Sequence, residues 1–123
     1  MNESFGKPEK LKSQKLIDEL FLKGKSIKAF PLKLMYLERP ISGEAEIKTG
    51  VSVPKKLIKT AVKRNRIKRL MREIFRKNKY LVYKDLSRTY SFMFIYISKE
   101  EIPYEKLEKS MQKLLEQIQK MNR

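Results

Sequence analysis

The segment Tyr90 to Ile97, YSFMFIYI, restricts the fold of this chain more than any other. Aromatic and β-branched side chains favour an extended backbone. Alternation along it puts Tyr90, Phe92, Phe94 and Tyr96 on one side and Met93, Ile95 and Ile97 on the other. Both sides are apolar, so both must be covered. That is the position of a central strand, paired on each edge and packed above and below. A chain of 123 residues has room for one such sheet and the few helices that cover it.

The rest of the chain supplies candidates. From Leu11 to Lys23, the residues Leu16, Ile17, Leu20 and Phe21 recur at the spacing that lines one helix face. Gly24 follows, as a residue able to take the left-handed conformation just past a helix end. Leu32 to Leu37 alternates as a strand, and Pro40, Ser42 and Gly43 make a turn. Ile47, Thr49, Val51 and Val53 form a second alternating run closed by Pro54, in which Gly50 marks a bulge or a close approach. Pro103 opens a last helix whose stripe is Leu107, Met111, Leu114, Leu115 and Ile118. Residues 1–9 read as a flexible N-terminal arm and residues 10–123 as a single domain, with no repeat, linker or low-complexity stretch.

Residues 55–79, KKLIKTAVKRNRIKRLMREIFRKNK, carry the strongest functional signal, as a basic helix at about residues 60–78. At about 100° per residue, Ile67, Leu70, Met71 and Ile74 share one stripe. Asn65, Lys68, Arg69, Arg72 and Arg76 fall on the opposite side, with Arg64 and Arg66 flanking them. Crowding like charges on one face is unfavourable in isolation. Phosphates that replace solvent counterions reverse the balance, each releasing roughly 0.7–0.9 of a condensed cation. Arginine adds planar paired donors that match phosphate oxygens, and Asn65 offers both a donor and an acceptor. The only acid in the stretch is Glu73, four residues from Arg69 and from Lys77, an ion-pair spacing.

Composition narrows the reading further. Lysine and arginine total 30 against 14 acids, a formal charge of +16. A chain this basic calls for a polyanionic partner, nucleic acid or an anionic membrane surface. The membrane reading is weakened by the apolar stripe of the basic helix, which is sized for a sheet and lacks tryptophan. No apolar run approaches the ~20 residues of a membrane-spanning helix, and the first ten residues hold no signal-like apolar core, so a soluble cytoplasmic protein is expected. With no histidine and no cysteine, the usual general base and the usual soft-metal ligands are missing. No catalytic residue, protein-held metal site or protein partner is indicated. The expectation is an RNA-binding domain, set against a carboxylate enzyme acting alone.

The run Ala61 to Glu73, AVKRNRIKRLMRE, resembles the RNR signature of the protein subunit of bacterial ribonuclease P, with Arg64, Asn65, Arg66, Lys68, Arg69 and Arg72 at motif positions. Phe21 to Ser26, FLKGKS, is similar to the end of that family's first helix. Gly50 to Lys56, GVSVPKK, is similar to its strand before the crossover. The three motifs stand in the family's order, and the likeness extends over about residues 10–118.

The resemblance implies an α+β fold, a two-layer α/β sandwich ordered α-β-β-β-α-β-α with a left-handed β-α-β crossover (ribosomal protein S5 domain 2-like). It also implies a second strand in the region of residues 47–54, where the residues show one clearly. It implies the function of the protein component of ribonuclease P, which assists endonucleolytic removal of the 5′ leader of precursor tRNA. The catalytic RNA subunit performs the chemistry and needs Mg2+, none of it bound by protein ligands alone. By position, Arg64, Asn65, Arg66, Lys68, Arg69, Arg72 and Arg76 face that RNA, with Lys55 and Lys56 nearby. Ile17, Phe21, Met35 and Tyr36 stand at a cleft for the leader, between the first helix and the sheet. Family members often carry aromatics at the Ile17 and Met35 positions. Leader contact is therefore expected to be weaker here or to shift to Tyr36, and Phe21 is open to either stacking or core packing. The connection from Leu57 to Lys63 lacks a glycine often found there, so its path is left open. A ribosomal or RNA-chaperone-type binding protein of similar topology is the alternative.

Overall fold

The computed structural model describes residues 10–41, 43–84 and 86–121; the expected N-terminal arm, 1–9, lies outside them. Strand β4 (Thr89–Tyr96) is the centre of a four-stranded sheet ordered β1-β2-β4-β3, with β1 (Lys25–Ala29), β2 (Leu32–Arg39) and β3 (Ile47–Ser52) around it. It pairs antiparallel with β2 and parallel with β3. Its two apolar faces are both covered, as the double-sided pattern requires. Tyr90, Phe92, Phe94 and Tyr96 enter the main core with Leu32, Leu34 and Ile47. Met93, on the other face, joins Leu11 and Leu20 in a smaller cluster that Ile95 packs against.

The main core is closed by helices α2 (Ala61–Asn78) and α4 (Tyr104–Met121), with the one-turn helix α3 (Tyr80–Tyr83) between α2 and β4. Ile67, Met71, Ile74 and Phe75 come from α2, and Leu107, Met111, Leu114, Leu115 and Ile118 from α4. Sheet and helices thus form a two-layer sandwich, and helix α1 (Gln14–Lys23) lies on the opposite sheet face. A buried polar link ties α2 to α4. The Asn78 amide donates to the Ile74 carbonyl (2.9 Å) and to Glu108 (3.0 Å), and Gln112 donates to the Asn78 oxygen (3.0 Å).

Several local expectations are corrected. Helix α1 begins at Gln14, not Leu11, because the Ser13 hydroxyl caps it by accepting from the Leu16 N–H (3.3 Å). Lys10 and Leu11 instead run beside β3, where the Leu11 N–H donates to the Thr49 carbonyl (3.1 Å). Gly24 ends α1 in an extended conformation (φ −69°, ψ 162°), not a left-handed one. Close approach explains the glycine: a Cβ there would lie 2.3 Å from the Leu20 carbonyl oxygen. Gly50 also marks a close approach, since a Cβ would meet the Met93 side chain at 3.0 Å. The region of residues 47–54 holds one strand, β3; the additional strand is β1, before β2. β1 hides from a hydrophobicity reading because it is a lysine-bearing edge strand with only Ile27 and Ala29 turned toward the core.

Candidate nucleic-acid interface

Helix α2 starts without a side-chain cap on Thr60 and without an acid in its first turn. Its free N–H groups and positive dipole end therefore stay available to an anion. The connection leading to it is now defined. The Leu57 and Ile58 N–H groups fold back on the Pro54 carbonyl, and Ile58 is buried. Lys55 and Lys56 are exposed at that turn.

Along the helix, Asn65, Arg66, Arg69 and Arg72 are exposed, and Lys68 is half-buried. Ile67, Met71 and Ile74 are buried on the opposite side, so the expected division into a core face and a basic face is present, with Leu70 half-buried at its border. Val62 adds an apolar side chain, 77% exposed, to the first turn of the outer face.

The motif cations do not share one state. Arg64 turns away from the outer face: one guanidinium nitrogen donates to the carbonyls of Ile58 (3.0 Å) and Lys59 (2.9 Å). Its place one turn before Ile67 and two turns before Met71 brings it over the preceding loop, so it clamps that loop to the helix. Arg66 pairs with Glu101, from the β4–α4 connection, at 2.7 Å. Arg76 is half-buried and donates to both carboxylate oxygens of Glu73 (2.6 and 3.3 Å). Lys77 stands 3.9 Å from the same carboxylate. The sequence spacing pointed to Arg69 and Lys77; Arg76 replaces Arg69, consistent with the preference for an acid N-terminal to its cation. The Arg76 hydrogen bond holds the Glu73 carboxyl below its ordinary range, with the charges of Arg76 and Lys77 adding to the effect. Arg69 and Arg72, by contrast, have no acid partner among the described residues.

Glu101 escapes a sequence reading because it belongs to a different segment. It is placed through Tyr96, whose hydroxyl donates to the Glu100 carbonyl and accepts from the Ile102 N–H (2.9 Å). Burial pushes the Tyr96 phenol above its ordinary pKa.

The expected leader cleft is only partly assembled. Ile17 and Met35 are half-buried beside Leu20 and Met93, on the α1 face of the sheet. Phe21 is 50% exposed, which decides against core packing. Tyr36 is on the other face, edge-on to Tyr90 with ring centroids 6.5 Å apart. Neighbours in a strand point to opposite faces, so Tyr36 cannot take over at the Met35 position. The aromatics of β4 do not line the cleft, since Tyr90, Phe92, Phe94 and Tyr96 are all buried in the main core. Among the described residues, no group of three or more acidic side chains is gathered to hold a metal ion, and no helix is long and apolar enough to cross a membrane.

Comparison with known proteins bears on this arrangement. The family model described as Ribonuclease P matches residues 5–119. The ribonuclease P protein component of Porphyromonas gingivalis is 36% identical over 115 residues, covering 91% of this chain and 84% of that one. That of Borrelia hermsii is 33% identical over 113 residues, covering 91% and 93%. Among solved structures, the RNase P protein from Thermotoga maritima superposes with a TM-score of 0.72 at 24% identity, over 89% of this chain and 97% of that one. The Staphylococcus aureus RNase P protein gives 0.71 at 23%, over 94% and 98%. With a match across nearly its whole length and a sheet-and-helix frame shared with those proteins, this chain belongs to the ribonuclease P protein family.

Proposed function

We propose that this chain is the protein component of ribonuclease P, an endoribonuclease that matures the 5′ end of tRNA in the cytoplasm. It docks on the catalytic RNA through the outer face of α2. Asn65, Lys68, Arg69 and Arg72 approach RNA phosphates directly, Lys55 and Lys56 extend the contact, and the uncapped start of α2 offers N–H groups to a further phosphate. Arg64 acts from behind, by holding the Ile58–Lys59 backbone against the helix. Arg66 and Arg76 reach RNA only by exchanging a carboxylate, Glu101 or Glu73, for a phosphate. The single observation that carries this reading is one helix with a buried apolar stripe on one side and, on the other, exposed Arg69 and Arg72, which have no acid partner among the described residues.

Hydrolysis belongs to the RNA and to Mg2+ held by it. This chain contributes binding, through the α2 face for the catalytic RNA and through the α1 face for the leader of precursor tRNA. On that second face Ile17 and Met35 offer apolar contact, and Phe21 is the side chain free to stack on a base.

Reconstitution with a bacterial ribonuclease P RNA tests the proposal. Adding the protein should lower the magnesium needed to cleave precursor tRNA and favour substrates that carry a leader. Cleavage in low magnesium that is the same with and without the protein would reject it. Recovery of ribosomal RNA instead of ribonuclease P RNA after pull-down from cells would point to a ribosomal or chaperone role.

A further inference from the structure

A cavity lies at the end of the sheet where β1 and β4 begin, apart from both faces just described. Lys23, the last residue of α1, and Lys25, the first of β1, line it together with Tyr36, Tyr90, Arg88 and the carboxylate of Glu38. Its volume is about 350 Å3, near the lower bound for small-ligand sites. No residue of α2 lines it, nor does Ile17, Phe21 or Met35.

The charges there are unbalanced. Arg88 is already engaged with Glu38, at 3.4 Å. Lys23 and Lys25 have no acid partner among the described residues. Their separation by a single glycine is structural. Gly24 lets α1 close on β2, where a Cβ would stand 3.1 Å from the Tyr36 carbonyl oxygen as well as against Leu20. That approach sets two lysines beside a half-buried tyrosine ring. Lysine ammonium groups hold a phosphate as flexible point charges. The tyrosine ring offers a base an aromatic surface, which any of the four bases accepts.

We propose that this cavity binds a single 5′-phosphorylated nucleotide, with Lys23 and Lys25 on its phosphate and its base against Tyr36. The nucleotide comes either free or as one unit of a single RNA strand. The site does not depend on the catalytic RNA, so its failure would leave the proposed function standing.

The test uses backbone amide NMR spectra of the full chain, titrated separately with adenosine monophosphate, a mixed-sequence RNA hexamer and inorganic phosphate. Saturating shifts at the Tyr36 and Arg88 amides are expected. They should require about tenfold more ligand in the Lys23→Ser/Lys25→Ser double variant, the order expected for losing two exposed ion pairs, with the remaining spectrum unchanged. A response to the monophosphate identifies a free nucleotide as sufficient, and a response to the hexamer alone places the nucleotide in a strand. Tyr36→Leu should abolish the preference for nucleotide over inorganic phosphate, which a purely structural role of the ring would not do. Absent shifts at those amides, an equal response to inorganic phosphate, or an undiminished response in the double variant would overturn the proposal.

Discussion

Arg64 and Arg69 are both motif arginines on one helix, yet their surroundings give them different work. Arg69 is exposed and without an acid partner among the described residues, so its charge is free for a phosphate. Arg64 commits one guanidinium nitrogen to two backbone carbonyls. Replacing Arg69 or Arg72 with Ala should weaken binding to the catalytic RNA and lower the slope of log affinity against log salt by about one unit each. Filter binding across a potassium chloride series reads both quantities; unchanged affinity and slope would sink the assigned face. Arg64→Ala should show the complementary pattern, a loss of thermal stability with a smaller change of slope. The motif spacing shows which residues are cationic and where they fall on a wheel. It does not show which carbonyls or carboxylates the folded chain brings to them, and this is why the roles of Arg64, Arg66 and Arg76 were not legible.

At the scale of elements, periodicity carried the reading wherever one face is buried and the other is not. The stripes of α2 and α4 and the double-sided pattern of β4 follow from burial alone, because those faces have a single thermodynamically acceptable side. Ile74 is fully buried while Leu70 sits half-buried at the border. Ile74→Ala should therefore cost about 2–5 kcal/mol, and Leu70→Ala less, measured by urea unfolding. Equal costs would mean that the two positions are packed alike. Where burial is weak the periodicity signal fails: β1 is a polar edge, and the face taken by Tyr36 depends on α1 choosing one side of the sheet. The β4–α4 connection shows how an element end reaches the basic helix. The Tyr96 hydroxyl organises that loop and so presents Glu101 to Arg66. Tyr96→Phe should cost about 1–3 kcal/mol through the backbone groups left unpaired. It should also reduce the alkaline instability, leaving the part due to Tyr90, whose phenol is likewise raised by burial. Burial raises the Tyr96 phenol pKa in the folded state above the ordinary 10.0, so the unfolded chain loses its proton first. Stability is then complete below pH 10 and falls as pH rises from there through the folded pKa. If the wild type and the Phe variant lost stability equally above that point, the assignment to Tyr96 would be wrong.

For the whole molecule, the charge of +16 acts on folding and on binding with opposite sign. Gathering 30 cations and 14 acids into one compact body raises their mutual repulsion above that of the extended chain. Among the described residues, acids are met by Arg66 with Glu101, Arg88 with Glu38, Arg39 with Glu46, and Arg76 and Lys77 with Glu73, far fewer than the cations of the chain. Added salt screens the remainder, since the screening length falls from about 30 Å at 0.01 M to about 8 Å at 0.15 M, well inside the dimensions of such a domain. The melting temperature of the free protein should therefore rise over that range. It should rise further with sulfate or phosphate, which strengthen apolar burial as well as screening charge. RNA binding must move the other way, because salt removes the gain from counterion release. Thermal melts and binding curves recorded on the same sodium chloride series give both trends. A melting temperature independent of salt would show that the surface cations are already compensated within the fold, and the phosphate-docking role of the α2 face would then lose its physical basis.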